Sequence, residues 1–193
     1  MKGDEYNLVM KSNTRLPVEV VTQPAQLNAA VHDLAASKVL ALDTESNSRH
    51  YYPEQFCLFQ IASPNKVYIV DTIALPDISP LKDVLADDSI EKVIHSADYD
   101  IRSLDRHAGI RVRGVYDTSI AARFTGAMRL GLDTIIKDML GLDIEKSKTL
   151  QKSDWGRRPL SNEALDYAAG DVRYLVALRE TLDQKLQNLG RNS

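Results

Sequence analysis

The feature that most restricts the fold is the density of apolar and β-branched runs between residues 39 and 70. Val39–Thr44, Phe56–Ala62 and Val67–Val70 each read as strands, with Ser63-Pro64-Asn65 supplying turn chemistry between the last two. Connections this short favour antiparallel pairing. Around them, Val18–Val21 reads as a short edge strand. Thr22 reads as the cap of a helix over Pro24–Ser37, whose buried face is Leu27, Ala30, Val31, Leu34 and Ala35. After Pro76 the pattern alternates. A helix near Pro80–Ala86 leads to a strand, Lys92–His95, and then to a helix over Asp98–Ala108 that stops at Gly109. A strand over Val112–Tyr116 and helices over Thr118–Phe124 and Asp133–Leu140 follow. Ser161 then caps one long last helix, Asn162–Leu189. Early strands followed by alternating strands and helices predict an α/β fold, a mixed sheet covered by helices.

The bulk properties exclude several classes. At 193 residues the chain fits one domain, expected over 17–190 behind a polar, flexible arm at 1–16. No apolar run approaches the roughly 18–20 residues of a membrane span. The N-terminus carries acids where a signal peptide is basic, so the chain is expected in the cytoplasm. Cys57 is the one cysteine, which rules out an internal disulfide and a multi-cysteine zinc site. Its apolar setting suits a core position. The net charge of −3 does not announce a nucleic-acid binder, although a protein that grips only a strand end beside metal ions needs no broad basic face.

Three places concentrate acids. Asp43 and Glu45 end an apolar strand at i and i+2, so they share a face about 6.6 Å apart along the chain, a spacing from which two metal ions can be reached. A strand that ends in acids as it leaves the core is also common. Asp98 and Asp100 stand in a helix's first turn, where acids are expected for dipole reasons alone. Nearby His95, without a second His or Cys, suits a hydrogen-bonded structural role. Tyr167 and Asp171 share a helix face at i, i+4, with Ala168, Ala169 and Gly170 between them. A mid-helix Gly costs about 1 kcal/mol relative to Ala, which predicts that something approaches this turn closely. Lys146, Lys148, Lys152, Arg157 and Arg158 form the densest basic stretch, either a phosphate-contacting surface or a solvated loop. Trp155 among them suits a core anchor better than a base-stacking surface.

Taken together and in this order, the acidic pair, the single Asp and Tyr-x-x-x-Asp resemble the three motifs of the four-carboxylate (DEDD) 3′→5′ exonucleases. FCLFQIA with KVYIVD, HSADYDIRSL, VYDTSIAARFTG, KSKTLQKSDWGRRPL and LDYAAGDVRYL are similar to blocks of the ribonuclease D-like catalytic domain, over roughly residues 18–185. Asp166 stands where the sister branch has His, which places the chain in the tyrosine branch. The resemblance implies a ribonuclease H-like fold. It also implies four metal-ligand carboxylates, Asp43, Glu45, Asp100 and Asp171, with Tyr167 orienting the attacking water. An all-carboxylate site suits two divalent ions, Mg²⁺ or Mn²⁺. Thr44, His95, Ser96, Lys146, Lys148 and Arg157 are candidate substrate contacts. The implied activity is metal-dependent hydrolysis from the 3′ end of single-stranded RNA, releasing nucleoside monophosphates. The same chemistry on DNA or very short oligonucleotides is the alternative, and a non-catalytic nucleic-acid-binding domain is the third reading. No membrane or specific protein partner is expected, nor a C-terminal helical accessory domain of the kind ribonuclease D carries.

Overall fold

In the computed structural model, which describes residues 16–144 and 147–191, six strands form one mixed sheet. They are β1 (Val18–Val21), β2 (Val39–Ser46), β3 (Phe56–Ala62), β4 (Val67–Asp71), β5 (Glu91–Ile94) and β6 (Val115–Asp117), in the order β1-β4-β3-β2-β5-β6. The short loops give the expected antiparallel pairs β2–β3 and β3–β4. The longer connections give parallel pairs at both sides, β1–β4, β2–β5 and β5–β6. Every residue of β3 is buried, as the apolar run FCLFQIA requires of a strand covered on both faces. The expected N-terminal arm lies outside the described residues apart from Leu16.

The helices are α1 (Pro24–Ala35), α2 (Lys82–Ala86), α3 (Asp98–Ala108), α4 (Thr118–Phe124), α5 (Leu132–Leu140), α6 (Asn162–Arg173) and α7 (Leu175–Asn188). Strand alternation divides the core. Leu40, Leu42, Phe59, Ile61 and Val70 pack with Leu27 and Leu34 of α1 and Leu104 of α3. Ala41, Leu58, Ala62 and Ile69 leave the other face and pack with residues of α4 to α7. Cys57 is buried there, and burial pushes its thiol up to about 11.

Four sequence expectations need correction. Gln23, not Thr22, is the cap of α1, and the Gln26 side chain accepts from the Gln23 N–H at 3.1 Å. β2 runs on through Glu45 and Ser46 because β3 continues to pair with it, across a bulge at Glu45/Ser46. β6 begins at Val115 rather than Val112. Gly114 takes φ 62 there, with a notional Cβ 3.1 Å from the Ile90 carbonyl, and its own carbonyl accepts from Lys92 N. The single last helix is two, broken at Tyr174 (φ −105, ψ −5). One straight helix over that span would extend about 40 Å. The break lets α6 lie over β4, β3 and β2 while α7 packs on α4 and α5.

The 153–160 loop is fastened by Arg158, whose Nε and Nη2 donate to the two Asp71 oxygens at 2.6 and 2.7 Å. Nη1 donates to the Trp155 carbonyl and Nη2 also to that of Cys57. Arg158 is thus a structural clamp on the end of β4 rather than a phosphate contact. Burial alone would raise the Asp71 carboxyl. Hydrogen bonds from Arg158 and from the Ala74 and Ile73 N–H groups outweigh it and hold the group below its ordinary value. Removing one partner of a half-buried pair is expected to cost about 3 kcal/mol, so Arg158→Ala should lower the Tm by roughly 6–12 °C. Because the folded pKa is depressed, the pair's contribution is complete above pH ~4 and fades as pH falls through the folded value. Melting of wild type and Arg158→Ala at pH 7 and pH 3 should therefore show the gap narrowing in acid.

Candidate active site

Asp43 and Glu45 leave β2 on the same face as Ala41, toward α6. On α6, Ala164, Ala168 and Asp171 are buried at i, i+4 and i+7, the stripe that meets the sheet. Ala168 and Ala169 are fully buried, and their small side chains let the helix approach β2 and β3 closely. The result is a cluster in which ligand oxygens of Asp43, Glu45 and Asp171 all lie within 4.8 Å of one another. Tyr167, one turn before Asp171, is half-buried beneath the buried indole of Trp155, ring centroids 5.9 Å apart. Burial, then the charges of Asp171, Glu45 and Asp43, push the Tyr167 hydroxyl far above its ordinary range. It is a neutral phenol at any physiological pH, with a proton to donate.

Asp100 is placed differently. It stands in the first turn of α3, where Thr44, on the opposite face of β2, donates to its Oδ1 at 2.5 Å. Both are buried. Burial, opposed by the Thr44 hydrogen bond, pushes the carboxyl up to about 6. The structure thus gathers three of the four predicted carboxylates into one cluster and holds Asp100 outside it, beside the strand that carries two of them.

The loop before α3 rests on Asp117, which the sequence reading passed over. Ser96 takes φ 62, an uncommon conformation for a non-glycine residue. The Asp117 carboxylate accepts from Ser96 N at 3.1 Å and Ala97 N at 2.9 Å while capping α4 through Ser119 N. The available signal was Asp-Thr-Ser ahead of a helix. His95 Nε2 donates to the Leu130 carbonyl at 2.8 Å and Nδ1 lies 2.9 Å from Thr118 Oγ1, a structural setting for the ring. A second tie also went unread. Tyr99 donates to Glu54 at 2.8 Å, and its hydroxyl lies 2.6 Å from that of Ser46.

Of the basic candidates, Lys148 and Arg157 line a cavity of about 630 Å³ with His50, Lys152 and Asp154. A second cavity, about 720 Å³, shares Asp154 and Arg157 and is bordered by Asn47, Tyr51 and His107. Lys146 lies outside the described residues.

A family model for the 3′-5′ exonuclease domain matches residues 18–187. The chain belongs to this 3′–5′ exonuclease family. It is 34% identical over 185 residues to ribonuclease D of Granulibacter bethesdensis, covering 94% of this chain and 46% of that one. The chain thus spans about half the length of that relative. The catalytic core of RRP6 from Trypanosoma brucei superposes with a TM-score of 0.86 at 28% identity, over 93% of this chain and 50% of that chain. Brucella melitensis NrnC bound to pGG gives 0.77 at 26%, over 92% and 85%, and NrnC is also known with bound Mg²⁺. The sheet and helices described above are the ribonuclease H-like fold of these exonuclease domains. The family is metal-dependent, and this chain carries an acidic cluster at Asp43, Glu45 and Asp171.

Gly170 corrects the sequence reading of α6. A Cβ there meets nothing within 4 Å, so the close approach falls at Ala168 and Ala169 and the space over Gly170 is open. Gly170→Ala is expected to stabilise the fold by about 1 kcal/mol, raising the Tm by roughly 2–4 °C. A Tm that falls instead would show that the helix needs glycine's backbone freedom at this turn.

Proposed function

We propose that this domain is a metal-dependent 3′→5′ exoribonuclease of the tyrosine branch, which removes nucleoside 5′-monophosphates one at a time from single-stranded RNA. The observation that carries this is the convergence of Asp43, Glu45 and Asp171 within 4.8 Å beside a neutral, half-buried Tyr167. The donor set fits a hard divalent cation. All its ligands are carboxylate oxygens, and their spread is close to the roughly 4 Å that separates opposite oxygens around Mg²⁺. Two such ions, Mg²⁺ or Mn²⁺, would supply an activated water and neutralise the charge that develops on the leaving 3′-oxygen.

The chain's own residues do the rest. Asp43, Glu45 and Asp171 would hold a cation that activates the attacking water. Asp100, held by Thr44, would act on the substrate or a further cation through water. Tyr167 donates to the scissile phosphate's surroundings or steadies the water in line with the bond, and stays protonated while it does so. Lys148 and Arg157, on the rim of the 630 Å³ cavity, suit phosphates upstream of the scissile one. RNA as substrate is supported by the likeness to ribonuclease D and RRP6. Very short oligonucleotides are the second reading, supported by the likeness to NrnC, whose structure is known bound to pGG.

The test is degradation of 5′-labelled RNA, matched DNA and dinucleotides with Mg²⁺, Mn²⁺ or EDTA. A ladder shortening from the 3′ end, abolished by EDTA and by Asp171→Asn, is expected. Tyr167→Phe should lower kcat by roughly 10²-fold while KM changes little. Hydrolysis that survives Asp171→Asn unchanged would contradict the assignment.

A further inference from the structure

Gln60 is out of character with its strand. Every neighbour in FCLFQIA is apolar, and its amide is fully buried with neither Oε1 nor Nε2 hydrogen-bonded among the described residues. A buried amide without a partner costs about 1–3 kcal/mol. Packing alone would be better served by Met or Leu.

The register shows where a partner lies. Gln60 pairs directly with Asp43 on β2 and with Ile69 on β4. Directly paired residues of antiparallel strands leave on the same face with Cβ atoms about 4.5–5.5 Å apart. The core division agrees, since Ala41, Leu58, Ala62 and Ile69 all belong to the α6 side. Ile69 offers no acceptor, nor do the side chains of Ala168 and Ala169 on the helix that covers this part of the sheet. The side-chain acceptor that the sheet itself sets beside Gln60 is the Asp43 carboxylate. The terminal torsion of a Gln is soft, so the amide is able to turn Nε2 toward a neighbouring acceptor.

We infer that Gln60 is a positioning residue for the metal centre, donating from Nε2 to the Asp43 carboxylate when that carboxylate is turned to its cation. This rests on the metal-centre reading above. A carboxylate ligand keeps its orientation through hydrogen bonds from groups behind it. A neutral amide supplies one without bringing in a competing positive charge. Hydrogen-bond donors of this kind behind a ligand are typically worth about 10–100-fold in metal affinity.

The experiment is calorimetric titration of Mn²⁺ into wild type and Gln60→Met, with melting of both proteins in EDTA. The variant should bind Mn²⁺ at least about tenfold more weakly, and its Tm in EDTA should equal or exceed that of wild type, because an unsatisfied amide has been replaced by an apolar side chain of like size. Gln60→Leu supplies the same comparison if the methionine variant does not purify. A variant affinity within twofold of wild type overturns the inference and leaves the metal centre standing. So does a Tm in EDTA several degrees lower, which would make the amide a plain structural group. Wild type that binds no Mn²⁺ overturns the metal-centre reading and this inference with it.

Discussion

Successive side chains of a β-strand leave on opposite faces, and β2 uses both faces at once. Asp43 and Glu45 go toward α6 and meet Asp171. Thr44 and Ser46 go the other way and are hydrogen-bonded to Asp100 and Tyr99 of α3. Four consecutive residues therefore face two helices on opposite sides of the sheet from one strand end. The strand is held in turn by an antiparallel neighbour and a parallel one, which fixes its register against a slip that would swap the two faces. The bulge after Glu45 bends the strand where pairing ends, a common position for bulges next to active sites.

That arrangement concentrates negative charge in a chain that is only mildly acidic overall. Arg158, in the same loop as Trp155, is paired with Asp71 at the end of β4. Like charges this close favour a cation between them. The same field, added to burial, pushes the Tyr167 hydroxyl further above its ordinary value. Asp117, which steadies the strained Ser96 turn and caps α4, does for α3 what Ala168 and Ala169 do for α6, bringing its acid to the strand end.

Much of this was legible in the sequence. Strand periodicity and turn residues gave β3 and β4 almost to the residue, and α3 and α4 in full, because apolar spacing and punctuation agree there. The Asp43–Glu45 pair and the Tyr167–Asp171 pair follow from the periods of strand and helix alone, although only the order of all three acidic sites set them apart from ordinary capping acids. What stayed hidden is tertiary. The break at Tyr174 exists because α6 and α7 pack on different partners, which no local signal records. Arg158 reads as one more basic residue until Asp71, far away in the chain, is seen beside it. Gly170 reads as a close contact, whereas the contact belongs to its alanine neighbours. Gln60 stood in plain view within FCLFQIA, but its meaning depends on the β2–β3 register.

The central claim is that one strand end and one helix together hold the catalytic metal. It is tested most directly by anomalous diffraction from crystals soaked in Mn²⁺ with a non-hydrolysable phosphorothioate dinucleotide. The account predicts a Mn²⁺ peak within coordination distance of Asp43, Glu45 and Asp171, a second toward Asp100, and the 3′-terminal phosphate between them with Tyr167 alongside. A map with no Mn²⁺ at these carboxylates, or with the nucleotide's 3′ end bound elsewhere, would contradict it.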